Sequence, residues 1–144
     1  IEKSYSPVSH EDTEGYFDLL VKSYPLVPGG GFGAFLCDLE PGQTAPLKLK
    51  KARKIQGKTG VGRRWSSLTM IGGGTGVAPF VQVVRSILAD EGDRTELRLI
   101  SVNRREEDIL MKQELDELAR EYSDRLTVTY ILTEEQGQGT VELS

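Results

Sequence analysis

Ile71-Gly72-Gly73-Gly74-Thr75-Gly76-Val77-Ala78-Pro79-Phe80 carries the order of parts of a strand–loop–helix turn. The apolar, β-prone run Ser67-Leu68-Thr69-Met70-Ile71 leads into it and reads as a buried strand. Three consecutive glycines, and a fourth after Thr75, leave the backbone bare where it must turn and where a ligand could approach. Pro79 suits a first helical turn, in which its missing N–H costs nothing. Phe80, Val81, Val84, Ile87 and Leu88 then recur at helical spacing up to an Asp90-Glu91-Gly92 stop. A helix starting there directs free N–H groups and a positive dipole end at whatever lies over the glycines. The pattern departs from G-x-G-x-x-G. Alone it predicts a phosphate or nucleotide site in an α/β sheet, with a ligand-free turn as the bland reading.

Beyond this turn the chain alternates strand and helix. Leu97-Arg98-Leu99-Ile100-Ser101-Val102 reads as a second strand, and Leu126-Thr127-Val128-Thr129-Tyr130-Ile131-Leu132 as a third. Between them Glu107 to Tyr122 sets Ile109, Leu110, Leu115 and Leu118 on one face of a surface helix. Such alternation predicts a parallel, doubly wound sheet. The earlier residues differ in style. Tyr16 to Tyr24 has strand character, Pro25, Pro28 and Gly29-Gly30-Gly31 punctuate it, and Glu40-Pro41-Gly42-Gln43 is a turn. Ala34 to Leu39 has room for one short helix, and basic Lys48 to Lys58 reads as a strand running into a linker. Short strands and Gly/Pro turns predict part of a β-barrel. The expected division is residues 1–60, the later part of a barrel domain, and residues 61–144, the first part of an α/β domain.

Composition bounds the function. At 38% hydrophobic and 28% charged residues the mix is that of a soluble globular protein. A net charge of −4 argues against nucleic acid as a general partner. The single cysteine, Cys37, excludes an internal disulfide and fits a reducing compartment. No apolar stretch approaches the roughly 20 residues that span a bilayer, and Ile1 does not open a secretory signal. The chain does not begin with Met, so an amino-terminal membrane anchor could precede it. The expected location is the cytoplasmic side of the cell, soluble or attached through a segment not present here. His10 has no second His or Cys at metal spacing, so no metal site is expected, and a single histidine supports no Ser-His-Asp arrangement. Cys37 and Trp65 have no catalytic case.

Lys3-Ser4-Tyr5-Ser6-Pro7-Val8-Ser9 resembles the R-x-Y-[S/T] flavin motif of the ferredoxin reductase superfamily. With Gly72 to Pro79, and with Asn103 through Asp108-Ile109-Leu110, the chain looks most like NADH-cytochrome b5 reductase and its relatives. Three separated motifs in the right order are far more specific than any one of them.

That resemblance implies FAD and NADH as cofactors, with NADPH the second choice, and hydride passage to flavin N5. It implies single-electron release to a haem protein such as cytochrome b5. Ser6 matches the hydroxyl beside flavin N5, and Thr75 the group close to both flavin and nicotinamide; these are the catalytic candidates. Tyr5 matches the aromatic packed on the flavin ring. Lys3 stands where the family has arginine and cannot make its bidentate phosphate contact. Lys22 and Tyr24 match a lysine and an aromatic at a strand end near the rings. Gly30, Gly31, Phe32, Gly33 and Ala34 match the loop that holds the FAD pyrophosphate, with Gly33 where relatives often carry serine. Gly73, Gly74, Gly76 and Pro79 belong to the coenzyme turn. Asn103 and Asp108 fall where the adenosine end would lie; a loop asparagine and a helix-start acid are their plain alternatives. Coenzyme preference is partly set after the third strand, where relatives tend to carry aspartate. Here Thr133 is followed by Glu134 and Glu135, acids that would repel a 2′-phosphate, whereas Arg104 and Arg105 pull towards NADPH.

The family's Cys-Gly-Pro motif is absent and its first barrel strands would precede Ile1. A fragment, or segments omitted near Pro28-Gly29 or within Lys51 to Gly62, is therefore expected. Two further readings stay open. One is another flavoenzyme of the superfamily, with NADPH or a different acceptor. The other is a non-catalytic nucleotide-binding module that has lost flavin.

Overall fold

The structure, a computed structural model, describes residues 3–10, 12–23, 31–50, 65–134 and 141–143. The second region alternates strand and helix along a parallel sheet, as expected. Strand β1 (Ser67–Gly73) enters the glycine turn, and a 3-10 turn (Gly74–Val77) leads into helix α2 (Ala78–Ala89). Strand β2 (Glu96–Asn103), helix α3 (Lys112–Glu121), strand β3 (Leu126–Leu132) and strand β4 (Val141–Leu143) follow; helix α1 (Gly31–Cys37) lies in the first region. The sheet runs β1-β2-β3-β4. β1 and β2 pair in parallel with Met70 opposite Leu99, and β2 and β3 with Leu99 opposite Val128. β4 returns antiparallel, with Tyr130 opposite Val141; no pattern in the sequence had announced that strand.

Period-two alternation decides which face is buried. Met70, Leu97, Leu99, Leu126, Val128 and Tyr130 form the core together with Val81, Val84, Ile87 and Leu88 of α2 and Leu115 of α3. The alternate positions stay more open, and Ile71 is 64% exposed. Both helices therefore cover one face of the sheet. The strand order explains this, because successive neighbours joined by crossovers of one hand place every helix on one side. Covering the second face, which the doubly wound expectation requires, involves no element among the described residues.

Polar contacts close the layer. The buried Tyr130 hydroxyl donates to Asp116 Oδ1 at 2.7 Å, and burial pushes its phenol far above the ordinary tyrosine range. Thr95, fully buried, donates from its backbone N–H (2.8 Å) and its hydroxyl (2.6 Å) to Asp93 Oδ1. Arg125 donates to the Asp93 carbonyl, and to the Leu88 carbonyl at 3.4 Å. These bonds fasten the connection that follows α2.

The surface helix expected over Glu107 to Tyr122 divides. Glu106–Asp108 is a single 3-10 turn, Ile109 is extended, and Met111 adopts φ +57° before α3 begins at Lys112. Ile109 reaches the core from the extended segment as well as it would from a helix, so apolar spacing alone did not reveal the break.

In the first region the described residues form one antiparallel bridge, Pro7 with Leu19, reinforced by Val8 N–H to Asp18 O at 2.9 Å. The strand expected from Tyr16 is thus represented by Leu19 alone, and the closed barrel is not among the described elements. Helix α1 starts at Gly31, three residues before the expected Ala34, because Gly31 takes φ +63° and opens the turn. Lys48 to Lys50 join no strand, and the rest of the expected linker strand lies outside the described residues. Among the described residues no helix is long and apolar enough to cross a membrane.

Candidate functional site at the junction of the two regions

The glycine turn is shaped by two of its glycines. A Cβ on Gly72 would stand 3.0 Å from the Gly76 carbonyl carbon and oxygen and 3.1 Å from Phe80 Cε2, so only glycine lets β1 pass that close to the turn. Gly74 has φ +49°, which a side chain would strain. Pro79 sits in the first turn of α2, as its fixed φ favours.

Beside this turn lies a cleft of about 520 Å³. Its walls come from both regions. Lys3, Ser4, Tyr5 and Ser6 line one side, Lys22, Gly31, Phe32 and Gly33 another, and Thr75, Gly76, Ala78 and Pro79 the third. Ten candidates separated by up to 76 positions thus meet in one cavity: Lys3, Tyr5, Ser6, Lys22, Gly31, Phe32, Gly33, Thr75, with Gly76 and Pro79 completing the turn. Tyr5 and Phe32 of the wall approach with ring centroids 6.2 Å apart, tilted by 38°, and Phe35 backs Phe32 at 5.6 Å. Gly33 backs onto this wall, since a Cβ there would meet the Lys22 carbonyl oxygen at 3.2 Å and the Tyr5 hydroxyl at 3.7 Å.

Other candidates are placed differently. Gly73 and Gly74 belong to the turn without lining the cleft, and Ala34 lies in the middle of α1. Asn103 is buried, and its amide donates to Ser101 Oγ at 3.0 Å, a structural bond at the end of β2. Asp108 reaches the cleft through a partner: Lys22 Nζ donates to its Oδ1 at 2.7 Å. That hydrogen bond holds the Asp108 carboxyl below the usual carboxylate range, with the Lys22 and Arg104 charges acting in the same direction and partial desolvation opposing. Tyr24 and Gly30 lie outside the described residues.

A residue that sequence reasoning missed ties the junction together. Arg85 of α2 donates to the Val8 carbonyl, two residues past Ser6, and pairs with Glu114 of α3. Val8 itself is buried in the core formed by the second region. Arg85 looks in sequence like one more solvated helix charge, and only its distant partners distinguish it. Ser4, Leu20, Val21 and Ala78 also line the cleft without having been singled out.

The cleft fits a planar heterocycle carrying phosphates. It offers two ammonium groups, three hydroxyls besides Thr75, an aromatic wall and bare glycine backbone. A fold that meets its ligand at the carboxyl ends of parallel strands, next to a flavin-type motif, is that of a two-cofactor oxidoreductase.

Comparison with known proteins agrees. The family model described as Oxidoreductase NAD-binding domain matches residues 70–143, and that described as Oxidoreductase FAD-binding domain matches residues 1–53. The chain belongs to this family of FAD- and NAD-binding oxidoreductases, within the ferredoxin reductase superfamily. It is 40% identical to nitrate reductase [NADH] 1 of Phaseolus vulgaris, over 90% of this chain and 16% of that protein. It is 39% identical to NADH-cytochrome b5 reductase 1 of Laccaria bicolor, over 92% of this chain and 41% of that protein. The crystal structure of the cytochrome b5 reductase domain of Ulva prolifera nitrate reductase superposes with a TM-score of 0.72 at 32% identity, covering 90% of this chain and 54% of that one. The chain thus spans less than half of these curated relatives.

Proposed function

We propose that this chain forms the facing parts of both cofactor domains in an NADH-dependent flavoprotein, which passes electrons to a small haem protein such as cytochrome b5. Residues 1–60 would belong to an FAD-binding β-barrel and residues 61–144 to a doubly wound NAD-binding domain; the matched ranges 1–53 and 70–143 support that division. The protein would work on the cytoplasmic side, soluble or held by a segment outside this chain.

The observation that carries the reading is the cleft. It brings Tyr5 and Ser6 of the flavin motif to the same cavity as Thr75, Gly76 and Pro79 of the coenzyme turn. Hydride transfer demands that donor and acceptor rings touch, so the two motifs have to share one cavity. FAD, when bound, accepts hydride from the nicotinamide and releases electrons singly. The chain positions and tunes. Tyr5 stacks on the flavin ring, Ser6 hydrogen-bonds at its N5 edge, and Lys3 attracts its phosphate. Gly31, Phe32, Gly33 and Ala34 line the pyrophosphate path. Gly73, Gly74 and Gly76 leave room for the coenzyme at the start of α2, whose dipole favours phosphate. Thr75 orients the nicotinamide carboxamide. Tyr24, Gly30 and Asn103 enter this assignment through the family resemblance alone.

The test is purification of the full-length protein. It should be yellow with FAD, bleach on addition of NADH, and reduce cytochrome b5. Protein that is colourless and cannot be reconstituted with FAD would overturn the reading.

A further inference from the structure

We propose that Arg85 is a positioning residue for hydride transfer: its guanidinium fastens the segment that carries Ser6 to both helices of the coenzyme region, and so sets how closely the two rings meet. The inference rests on the functional reading above and concerns the geometry of transfer, not the choice of coenzyme.

Arg85 stands on α2 between two anchors. Its Nη1 donates to the Val8 carbonyl and its Nη2 to Glu114 Oε1 of α3. Val8 is only 7% exposed and belongs to the core cluster that includes Val81 and Val84 of α2. A carbonyl buried there needs a protein partner, because leaving it unpaired is costly. The Val8 N–H is engaged in the other direction, donating to the Asp18 carbonyl at 2.9 Å, and Pro7 bridges Leu19. Val8 is therefore the point at which the backbone pairing of the first region meets the helices of the second. The Arg85 side chain is 26% exposed and that of Glu114 35%, so water screens this charge-assisted pair only in part.

The clamp lies close behind the cleft on both chains. Ser6 lines the cleft and Val8 follows two residues later, roughly 7 Å along an extended backbone. Ala78 lines the coenzyme wall and Arg85 follows seven residues later on the same helix. Seven residues make two helical turns, so both stand on one side of α2, about 10 Å apart. Both arms are short, and a shift at the Arg85 fork reaches the ring site at comparable size. Near-attack geometry tolerates little of this: a displacement of about 1 Å can cost on the order of 100-fold in rate. The planar guanidinium holds two acceptors at a fixed separation, which the single ammonium of lysine does not.

The test compares the full-length protein with its Arg85→Gln variant. Stopped-flow absorbance follows flavin reduction against NADH concentration, which separates the transfer rate from coenzyme affinity. Arg85→Gln should slow transfer on the order of 10-fold to 100-fold at saturating NADH, with half-saturation within about 2-fold of wild type. Reduction by dithionite, which needs no docked coenzyme, should be unchanged. Should Arg85→Gln not fold, Glu114→Gln carries the test: it frees one arm of the fork and should cost about 3-fold to 10-fold. A readout independent of turnover is the spin-label distance between Glu14→Cys and Glu117→Cys, exposed positions in the two regions, with other reactive cysteines replaced. Its distribution should widen in Arg85→Gln. A transfer rate equal to wild type, a loss lying wholly in NADH affinity, or an unchanged distance distribution would overturn the proposal. Failure of the wild type to oxidise NADH would instead remove the functional reading, and the distance distribution would still decide whether Arg85 holds the two regions in place.

Discussion

Lys22 Nζ lies 2.7 Å from Asp108 Oδ1, joining residues 86 positions apart and linking the flavin-motif region to the 3-10 turn after β2. Arg85 supplies a second link through the Val8 carbonyl. Hydride transfer depends on the mutual placement of two rings, and these contacts hold the two halves of the cleft in register.

The Lys22–Asp108 pair gives a pH signature. The folded-state pKa of Asp108 is depressed, chiefly by the hydrogen bond from Lys22. Its stabilising effect is therefore fully present above the ordinary carboxylate pKa of about 3.9, and is lost as pH falls below that through the folded value. Asp108→Asn should lower the thermal midpoint at neutral pH, with the difference from wild type closing in acid. Melting curves across pH check this; a gap that persists unchanged at the acid end would contradict it.

Flavin chemistry tests the motif at the start of the chain. Ser6→Ala should slow NADH-driven flavin reduction on the order of 10-fold to 1000-fold, the range for losing one preorganised hydrogen bond in a water-excluded site. Tyr5→Ala should also slow it. Stopped-flow absorbance reads the rate and circular dichroism the fold. A rate within experimental error of wild type for Ser6→Ala would remove that hydroxyl from the mechanism.

Gly72→Ala tests the geometry of the coenzyme turn without any cofactor. Its Cβ would meet Gly76 backbone atoms at 3.0 Å, and backbone cannot move aside as a flexible side chain can. A loss of about 1–3 kcal/mol is expected, in line with other overpacked sites. Gly76→Ala provides the contrast, since no atom lies within 4 Å of its Cβ position. Chemical denaturation of both variants measures the difference, and equal losses would refute the assignment of close approach to Gly72.

What the sequence determined by itself was local. Alternation and helical spacing located β1, α2, β2 and β3 to within a residue or two, because each buries one face and its apolar period reports that face. The glycine run by itself pointed to a phosphate or nucleotide site, because backbone that must meet a phosphate tolerates few residue types; FAD and NADH followed from the resemblance to the ferredoxin reductase superfamily. What only the tertiary structure decided was every relationship between distant positions. Arg85 is an ordinary helix charge until Val8 and Glu114 are seen against it. Glu134 passes for a free acceptor until Arg104 and Arg105 close on it. Asp108 is a helix-start acid until Lys22 reaches it. Met111 breaks a helix whose apolar spacing is unbroken. Period and propensity act over a few residues. A salt bridge or a shared cleft depends instead on loop paths that bring together chain segments far apart in sequence.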